Sequence, residues 1–207
     1  MNIEWKTSDQ VTDYKDSVLY MENRVEQIHN NKASELVWLL EHPSIYTAGT
    51  SSQRNELIDS KSIPVLSTGR GGKYTYHGPG QRIVYLMLNL KNRKADLHKY
   101  VADLEELVIS SLKEIGIFSE RKNGKIGIWT KSLNNEDVKI AAIGIRVRKW
   151  ITYHGVAINV CPNLDYYRGI VPCGISEYGV TSLKELGYNI SYAELDDILK
   201  VKFKDVF

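Results

Sequence analysis

The sequence predicts an α+β fold, with a mixed, largely antiparallel sheet flanked by helices. Three observations predict it. Two stretches repeat apolar residues at gaps of three and four, the period of a helix with one buried face. Three successive stretches rich in β-branched residues are separated by turn residues, the pattern of a meander. Helices and strands are interspersed without regular βαβ alternation, which argues against a parallel doubly wound sheet. The 207 residues suit one domain with its own core, expected to span 1–207.

The elements follow in order. From Asp9 to about Asn30, apolar residues fall at Val11, Tyr14, Val18, Met21, Val25 and Ile28, an amphipathic helix ended by Asn30-Asn31-Lys32. Leu36-Val-Trp-Leu-Leu40 reads as a buried strand that His42-Pro43 breaks, and Ile45 to Ala48 as a second short strand. Residues 50–62 are polar and read as a surface loop. Pro64-Val-Leu66 is a strand leading into Gly69-Arg-Gly-Gly72, and Ile83 to Leu90 is a central strand. Leu97 to Ile115 repeats the helical period, with Gly116 as its C-cap.

Ile126 to Trp129, Val138 to Val147 and Ile151 to Val160 form the meander, with Asn134-Asn135 as a turn signal. A turn of helix at Leu164 to Gly169 leads to Val171-Pro-Cys-Gly174. Thr181-Ser182 is expected to cap a short helix ending at Gly187. Ser191 is expected to cap a last one with Leu195, Ile198, Leu199 and Phe203 on one face. The sequence holds no internal repeat, low-complexity segment or linker.

Composition narrows the function. The hydrophobic and charged fractions, 43% and 25%, are those of a soluble globular protein. A net charge of +2 is too small to argue for nucleic acid or membrane as partner. Arg146-Val-Arg-Lys-Trp150 is locally basic; it reads as the solvated end of a strand, and docking of an acidic carrier protein is the sharper alternative. Two cysteines make no disulfide scaffold in a chain of this length, the opening residues lack a signal-peptide pattern, and no apolar run reaches membrane-spanning length. A reducing, cytoplasmic setting is expected. The five histidines have no metal-site spacing, so no metal and no cofactor are expected.

Three segments carry chemistry. Gly69-Arg-Gly-Gly-Lys-Tyr-Thr-Tyr-His-Gly-Pro-Gly-Gln81 can bring backbone close to a ligand, and it is neither a nucleotide P-loop nor Gly-x-Gly-x-x-Gly. Read plainly, it is a tight connection between two strands; the interleaved Arg70, Thr75, His77 and Gln81 raise the case for function. Cys173 lies between Pro and Gly, off any periodic apolar pattern, and reads as a loop thiol. Cys161 closes an apolar strand and reads as a small buried hydrophobe. Lys139 opens a strand, where local sequence alone suggests an edge residue reaching solvent, yet Ala141, Ala142 and Gly144 leave room beside that strand.

Arg70-Gly-Gly-Lys-Tyr-Thr-Tyr-His-Gly-Pro-Gly-Gln81, with Lys139-Ile-Ala-Ala-Ile-Gly144 and Val171-Pro-Cys-Gly-Ile175, closely resembles the lipoyl(octanoyl) transferase family, over about Leu36 to Leu186. The resemblance implies a fold like that of biotin and lipoate protein ligases, and a single catalytic domain. It implies octanoyl–acyl carrier protein as donor, and as acceptor the lipoyl domain of a 2-oxoacid dehydrogenase complex or the glycine-cleavage H protein. Cys173 matches the acyl-accepting cysteine and Lys139 the lysine that activates it. Arg70, Gly71, Gly72, Lys73, Tyr74, Thr75, Tyr76, His77, Ala142, Ile143, Gly144, Gly155, Val156 and Ala157 match the stretches lining the acyl pocket.

The chemistry suits these residues. A thiolate exchanges readily with a thioester, and a lysine amine then converts the acyl-cysteine to an amide without ATP. A free cysteine, with a pKa of about 8.5, is a few per cent thiolate at neutral pH, so a nearby cation helps. Lys139 can act as an ammonium beside the thiolate or, if neutral, as the base. Backbone N–H groups near Gly72 or Gly174 are candidate oxyanion donors, and Tyr74, Tyr76 and residues 141–144 candidate walls for the acyl tail. His77 either contacts ligand or pins the glycine-rich segment, the second being preferred. The competing readings are an ATP-dependent lipoate- or biotin-type ligase and a non-catalytic acyl- or carrier-binding module.

Overall fold

The computed structural model describes residues 3–60, 62–171 and 178–207. Its helices follow the apolar periods. The first, α1 (Tyr14–His29), buries Tyr14, Met21, Val25 and Ile28. It starts at Tyr14 because the Asp13 carboxylate accepts the N–H groups of Lys15 and Asp16 at 2.7 and 3.2 Å. A cap of this kind is worth about 1 kcal/mol. The expected start at Asp9 is therefore too early; Val11 is 53% exposed, and the Thr12 N–H donates to the Glu41 carbonyl. The second, α2 (Leu97–Glu114), ends as expected, with Gly116 at φ +90°. The last, α3 (Tyr192–Val206), opens on the Ser191–Glu194 capping box.

The segment Thr181–Gly187 forms turns, not the expected helix. Its backbone explains why. The N–H groups of Leu183 and Lys184 donate to the carbonyls of Asn159 and Val160, which commits them to the sheet.

Among the described residues the strands are β1 (Ile3–Thr7), β2 (Glu35–Leu40), β3 (Ile45–Ala48), β4 (Val65–Ser67), β5 (Tyr74–His77), β6 (Gln81–Met87), β7 (Glu120–Lys122), β8 (Lys125–Lys131), β9 (Asp137–Arg148), β10 (Ile151–Asn159) and β11 (Gly179–Val180). The main sheet runs β1-β2-β6-β10-β9-β8-β7, with β11 beside β9. Its pairs are antiparallel except β1–β2 and β11–β9, so the mixed, largely antiparallel expectation holds. A smaller sheet, β4-β3-β5, stands apart. The sequence reading had no counterpart for β1, β5, β7 or β11, which are two to five residues long; β5 lies inside the segment read as a connection between two strands.

Both faces of the main sheet are covered, which is why β2 and β6 read as unbroken apolar runs. Val37, Leu39, Val84, Leu86, Val156 and Ile158 pack with α2 and α3. Leu36, Trp38, Leu40, Ile83, Tyr85 and Ala157 pack with α1. Strand alternation sorts the residues between the two layers.

That alternation breaks at two places. Across β8–β9, Ile128 faces Ala141 but the next residue, Trp129, faces Lys139, so Ile140 is an extra residue in a β-bulge. Ile140 and Ala141 consequently both enter the α2 layer. On β10, His154 has φ +60°, in the left-handed region where a non-glycine residue is strained.

Candidate functional site

The floor of the site is a patch of small residues. Ala142 pairs with Ala157 and Gly144 with Gly155 across β9–β10, while Ala157 and Gly155 face Ile83 and Tyr85 on β6. A Cβ on Gly155 would lie 2.1 Å from the Val84 carbonyl oxygen, so glycine is required there. The roof is residues 69–74. The Gly71 N–H donates to the Ile145 carbonyl at 2.9 Å, and the carbonyls of Arg70 and Gly72 accept from Thr50 and Ser51. Gly72, at φ +87°, makes the bend, and Gly49 lets the chain pass so close that a Cβ on it would sit 2.2 Å from the Gly72 oxygen. Between floor and roof lies a cavity of about 360 Å³.

The buried Arg70 side chain braces the roof. Its guanidinium donates to the Thr47 hydroxyl and carbonyl, each at 2.7 Å, and to the Gly71 carbonyl at 2.9 Å. Lys73 pairs with the buried carboxylate of Glu56. Glu56 belongs to a 3₁₀ turn, Arg54–Glu56, inside the stretch expected to be a plain surface loop. Its carbonyl accepts from the Val171 N–H, and Leu57 bridges Ile170. The turn therefore joins the roof to the segment that leads into Cys173.

Lys139 does not reach solvent as its local sequence suggests; it is 5% exposed. The β9 bulge turns it off the α2 layer. Its Nζ donates to the Ile126 carbonyl at 2.9 Å and stands 4.7 Å from the centre of the Trp129 ring. Ile126 lines the cavity and Lys139 does not, so the lysine is held one contact behind the cavity's β8 edge.

Three histidines far apart in sequence gather around Tyr14. Its ring centre is 5.0 Å from His42, 5.8 Å from His77 and 6.4 Å from His154. All three are neutral at physiological pH. Burial pushes His42 down to about 4 and His154 down to about 3. Burial, the neighbouring His42 and Arg70 hold His77 well below the usual range. His42 Nδ1–H donates to the Thr12 carbonyl at 2.6 Å, leaving Nε2 to accept from the Tyr85 hydroxyl at 2.7 Å. His77 Nδ1–H donates to Gln81 Oε1 at 3.0 Å, across the Gly78–Gly80 turn, and His77 also lines the cavity, so it both pins the segment and faces the site. Among the described residues no cluster of histidine, cysteine or carboxylate side chains has the geometry to hold a metal ion.

Of the residues expected to line an acyl pocket, Arg70 through Thr75, His77, Ala142 through Gly144 and Gly155 through Ala157 all border this cavity. Tyr76 does not. Alternation along β5 sends its ring to the far side, against Tyr46 and Tyr167, with its hydroxyl 3.0 Å from Ser44. Residues 172–177, and with them Cys173 and Gly174, lie outside the described residues. Cys161 is exposed, not the buried residue expected from the apolar strand before it, because that strand ends at Asn159. The basic Arg146–Trp150 stretch is exposed at the β9–β10 turn, where Arg148 and Lys149 pair with Glu26. Sequence reasoning missed Tyr14, Tyr85 and His154 as cavity residues. Their apolar or strand context gave no sign of it; only the three-dimensional gathering of aromatic rings did.

The sequence profile of the family described as "Lipoyl protein ligase A/B catalytic domain" matches residues 13–204. The chain is 55% identical over 205 residues to the octanoyltransferase of Wolbachia pipientis subsp. Culex pipiens (strain wPip), covering 99% of each. It is 53% identical over 208 residues to the octanoyltransferase of Parvibaculum lavamentivorans, covering 99% of this chain and 92% of that one. In fold it is similar to the bipartite lipoate protein ligase of Thermoplasma acidophilum, with a TM-score of 0.71 at 14% identity over 99% of this chain and 84% of that one. It is similar as well to the biotin protein ligase of Aquifex aeolicus, with a TM-score of 0.58 at 16% identity over 99% and 69%. At such identities the two structures speak for the fold alone, and it is the ligase-like fold that the motifs implied.

Proposed function

Because the chain belongs to the octanoyltransferases of the lipoyl protein ligase A/B catalytic family, we propose that it moves octanoyl from acyl carrier protein to a lipoyl-domain lysine through a thioester on Cys173, activated by Lys139. Octanoyl transfer, an acyl transfer that serves protein lipoylation, is the activity for which its full-length relatives are named. The finer parts of the reading are the two catalytic residues, the donor and the acceptors, which are 2-oxoacid dehydrogenase lipoyl domains and the glycine-cleavage H protein. The chain acts as one catalytic domain over residues 1–207.

The observation that carries the reading is the burial of Lys139 on β9, with its Nζ bonded to the carbonyl of Ile126, a wall residue of a cavity floored by small residues. In the first step the Cys173 thiol gives up its proton, and its sulfur attacks the donor's thioester carbonyl. The new carbon–sulfur bond replaces the donor's, and the carrier thiol leaves with a proton. A cation beside the sulfur favours its thiolate. In the second step the acceptor amine attacks, the carbon–nitrogen bond forms and the Cys173 thiolate departs. The amine's surplus proton goes to a base, a role open to Lys139. Conversion of thioester to amide is downhill, so the sequence of steps needs no ATP.

The cavity supports an acyl ligand, since its floor presents two alanines and two glycines and its roof presents backbone. No helix of the described residues is long and apolar enough to cross a membrane. A reducing, cytoplasmic setting, which keeps Cys173 a free thiol, belongs to the same reading.

The test is intact mass after mixing with octanoyl–acyl carrier protein without ATP, before and after neutral hydroxylamine. The expected result is a hydroxylamine-labile octanoyl adduct on the wild type and on Cys161→Ala, absent from Cys173→Ala. No adduct with an active donor, or equal loss in both variants, overturns the cysteine mechanism.

A further inference from the structure

We propose that His154 is the end wall of the acyl cavity and sets the length of chain it accepts. The inference rests on the acyl-transfer reading of this cavity and assigns its specificity. Strand register orders the floor. Lys139 lies three residues before it, outside the cavity lining; within the lining the Ala142–Ala157 pair comes first, then Gly144–Gly155, then Ile145–His154. From the first pair to the last is three residues of strand, about 10 Å. An extended eight-carbon acyl chain is of the same length, about 9 Å, from carbon–carbon bonds of about 1.5 Å at tetrahedral angles.

The His154 ring stands across that floor only because its backbone is unusual. Val156 and Ile158 face the α2 layer, and alternation would send residue 154 there too. The left-handed conformation, φ +60°, swings the ring to the opposite face, onto Tyr153 at 5.1 Å, Tyr85 at 5.8 Å and Tyr14 at 6.4 Å. It lies nearly parallel to Tyr153 and Tyr14, at 22° and 23°, and edge-on to Tyr85, so it is clamped. The residue is 2% exposed and borders the cavity, and its Nδ1 finds no hydrogen-bond partner among the described residues. Strained backbone and an unsatisfied buried nitrogen both cost stability, and packing alone would choose an apolar residue in relaxed conformation. A rigid ring at this point instead stops a chain of about eight carbons and leaves no room for the methylenes of a longer one.

The experiment compares transfer from octanoyl-, decanoyl- and dodecanoyl–acyl carrier protein to a lipoyl domain, for wild type and His154→Gly. Thermal shifts with the free eight-, ten- and twelve-carbon acids are measured alongside. Glycine relieves the positive φ and removes the ring, and the ratio of long-chain to octanoyl rate within one variant does not depend on its absolute activity. The ratio is expected to rise about tenfold or more, with the twelve-carbon acid now shifting the melting curve. His154→Asn, which tolerates the same backbone conformation, is expected to fall between the two and serves should the glycine variant fold poorly. An unchanged ratio and unchanged acid series in a folded variant overturn the proposal. Failure of wild-type octanoyl transfer overturns the transferase reading instead, while the acid series still reports the length of the cavity.

Discussion

Glu56 and Lys73 form an ion pair that fastens the roof of the cavity to the segment entering Cys173. The same glutamate caps its own turn, accepting the Gln53 N–H at 2.9 Å, and its carbonyl receives the Val171 N–H at 2.8 Å. The carboxylate is buried while the ammonium is about one-third exposed, so the pair gains less than a fully buried one would and serves chiefly to position. Glu56→Ala removes the cap and the pair together. It is expected to destabilise by about 1–3 kcal/mol, read by urea unfolding. Acylation is expected to slow by more than the loss of folded protein accounts for, whereas Glu56→Gln, which keeps the cap, is expected to recover part of it.

Lys139→Ala is expected to keep the fold and slow formation of the acyl-enzyme by about a hundredfold or more, the range of a lost acid–base group. Single-turnover mass measurements check this. Lys139→Arg keeps a cation but not the compact ammonium held between Ile126 and Trp129, and is expected to recover little. Acylation near the wild-type rate in the alanine variant would remove the lysine from the mechanism.

Gly155→Ala places a methyl 2.1 Å from the Val84 carbonyl oxygen, within the central pairing of β6 and β10. Strands must part to admit it. The expected cost is about 1–3 kcal/mol, measured by thermal unfolding, together with weakened binding of octanoic acid. A stable variant that binds the acid normally would mean the floor is less tightly built than its geometry states.

The neutral histidines make stability fall with acid. His42 has its pKa lowered by burial from the ordinary value to about 4. Above the unfolded value of 6.5 neither state is protonated and the group contributes nothing to pH dependence. Between 6.5 and about 4 the unfolded chain binds a proton that the folded one refuses, so stability declines as pH falls through that window. The full effect for His42 is on the order of 3 kcal/mol, to which His77 and His154, lowered in the same direction, add. Urea unfolding at pH 7 and pH 5 is expected to show the loss, and His42→Asn to flatten it. A wild type equally stable at both would contradict the neutral, buried assignment.

Much of the architecture was legible from period and punctuation. The face of α2, the left-handed Gly116 one residue past its C-cap Ile115 and the three strands from β8 to β10 lie where the pattern of glycine, β-branched and apolar residues puts them, within a residue at the cap. Sequence reading failed where a residue's fate depended on a partner distant in the chain. Residues 9–13 read as helical until the Thr12 N–H is seen to donate to the Glu41 carbonyl, and Tyr76 reads as pocket wall until β5 pairs with β3 and turns it away. Cys161 is a local miss: it reads as buried, but β10 ends two residues before it.

By itself the sequence determined the fold class and the family, because apolar period and the spacing of the glycine-rich and Val-Pro-Cys-Gly segments are local properties of the chain. Tertiary structure alone decided which way Lys139 and His154 face. Both sit on strands whose alternation would send them into the α2 layer. A one-residue bulge turns the first and a left-handed backbone turns the second. Neither feature is encoded within a few residues, since each persists only because neighbouring strands and packed rings hold it against the backbone's own preference.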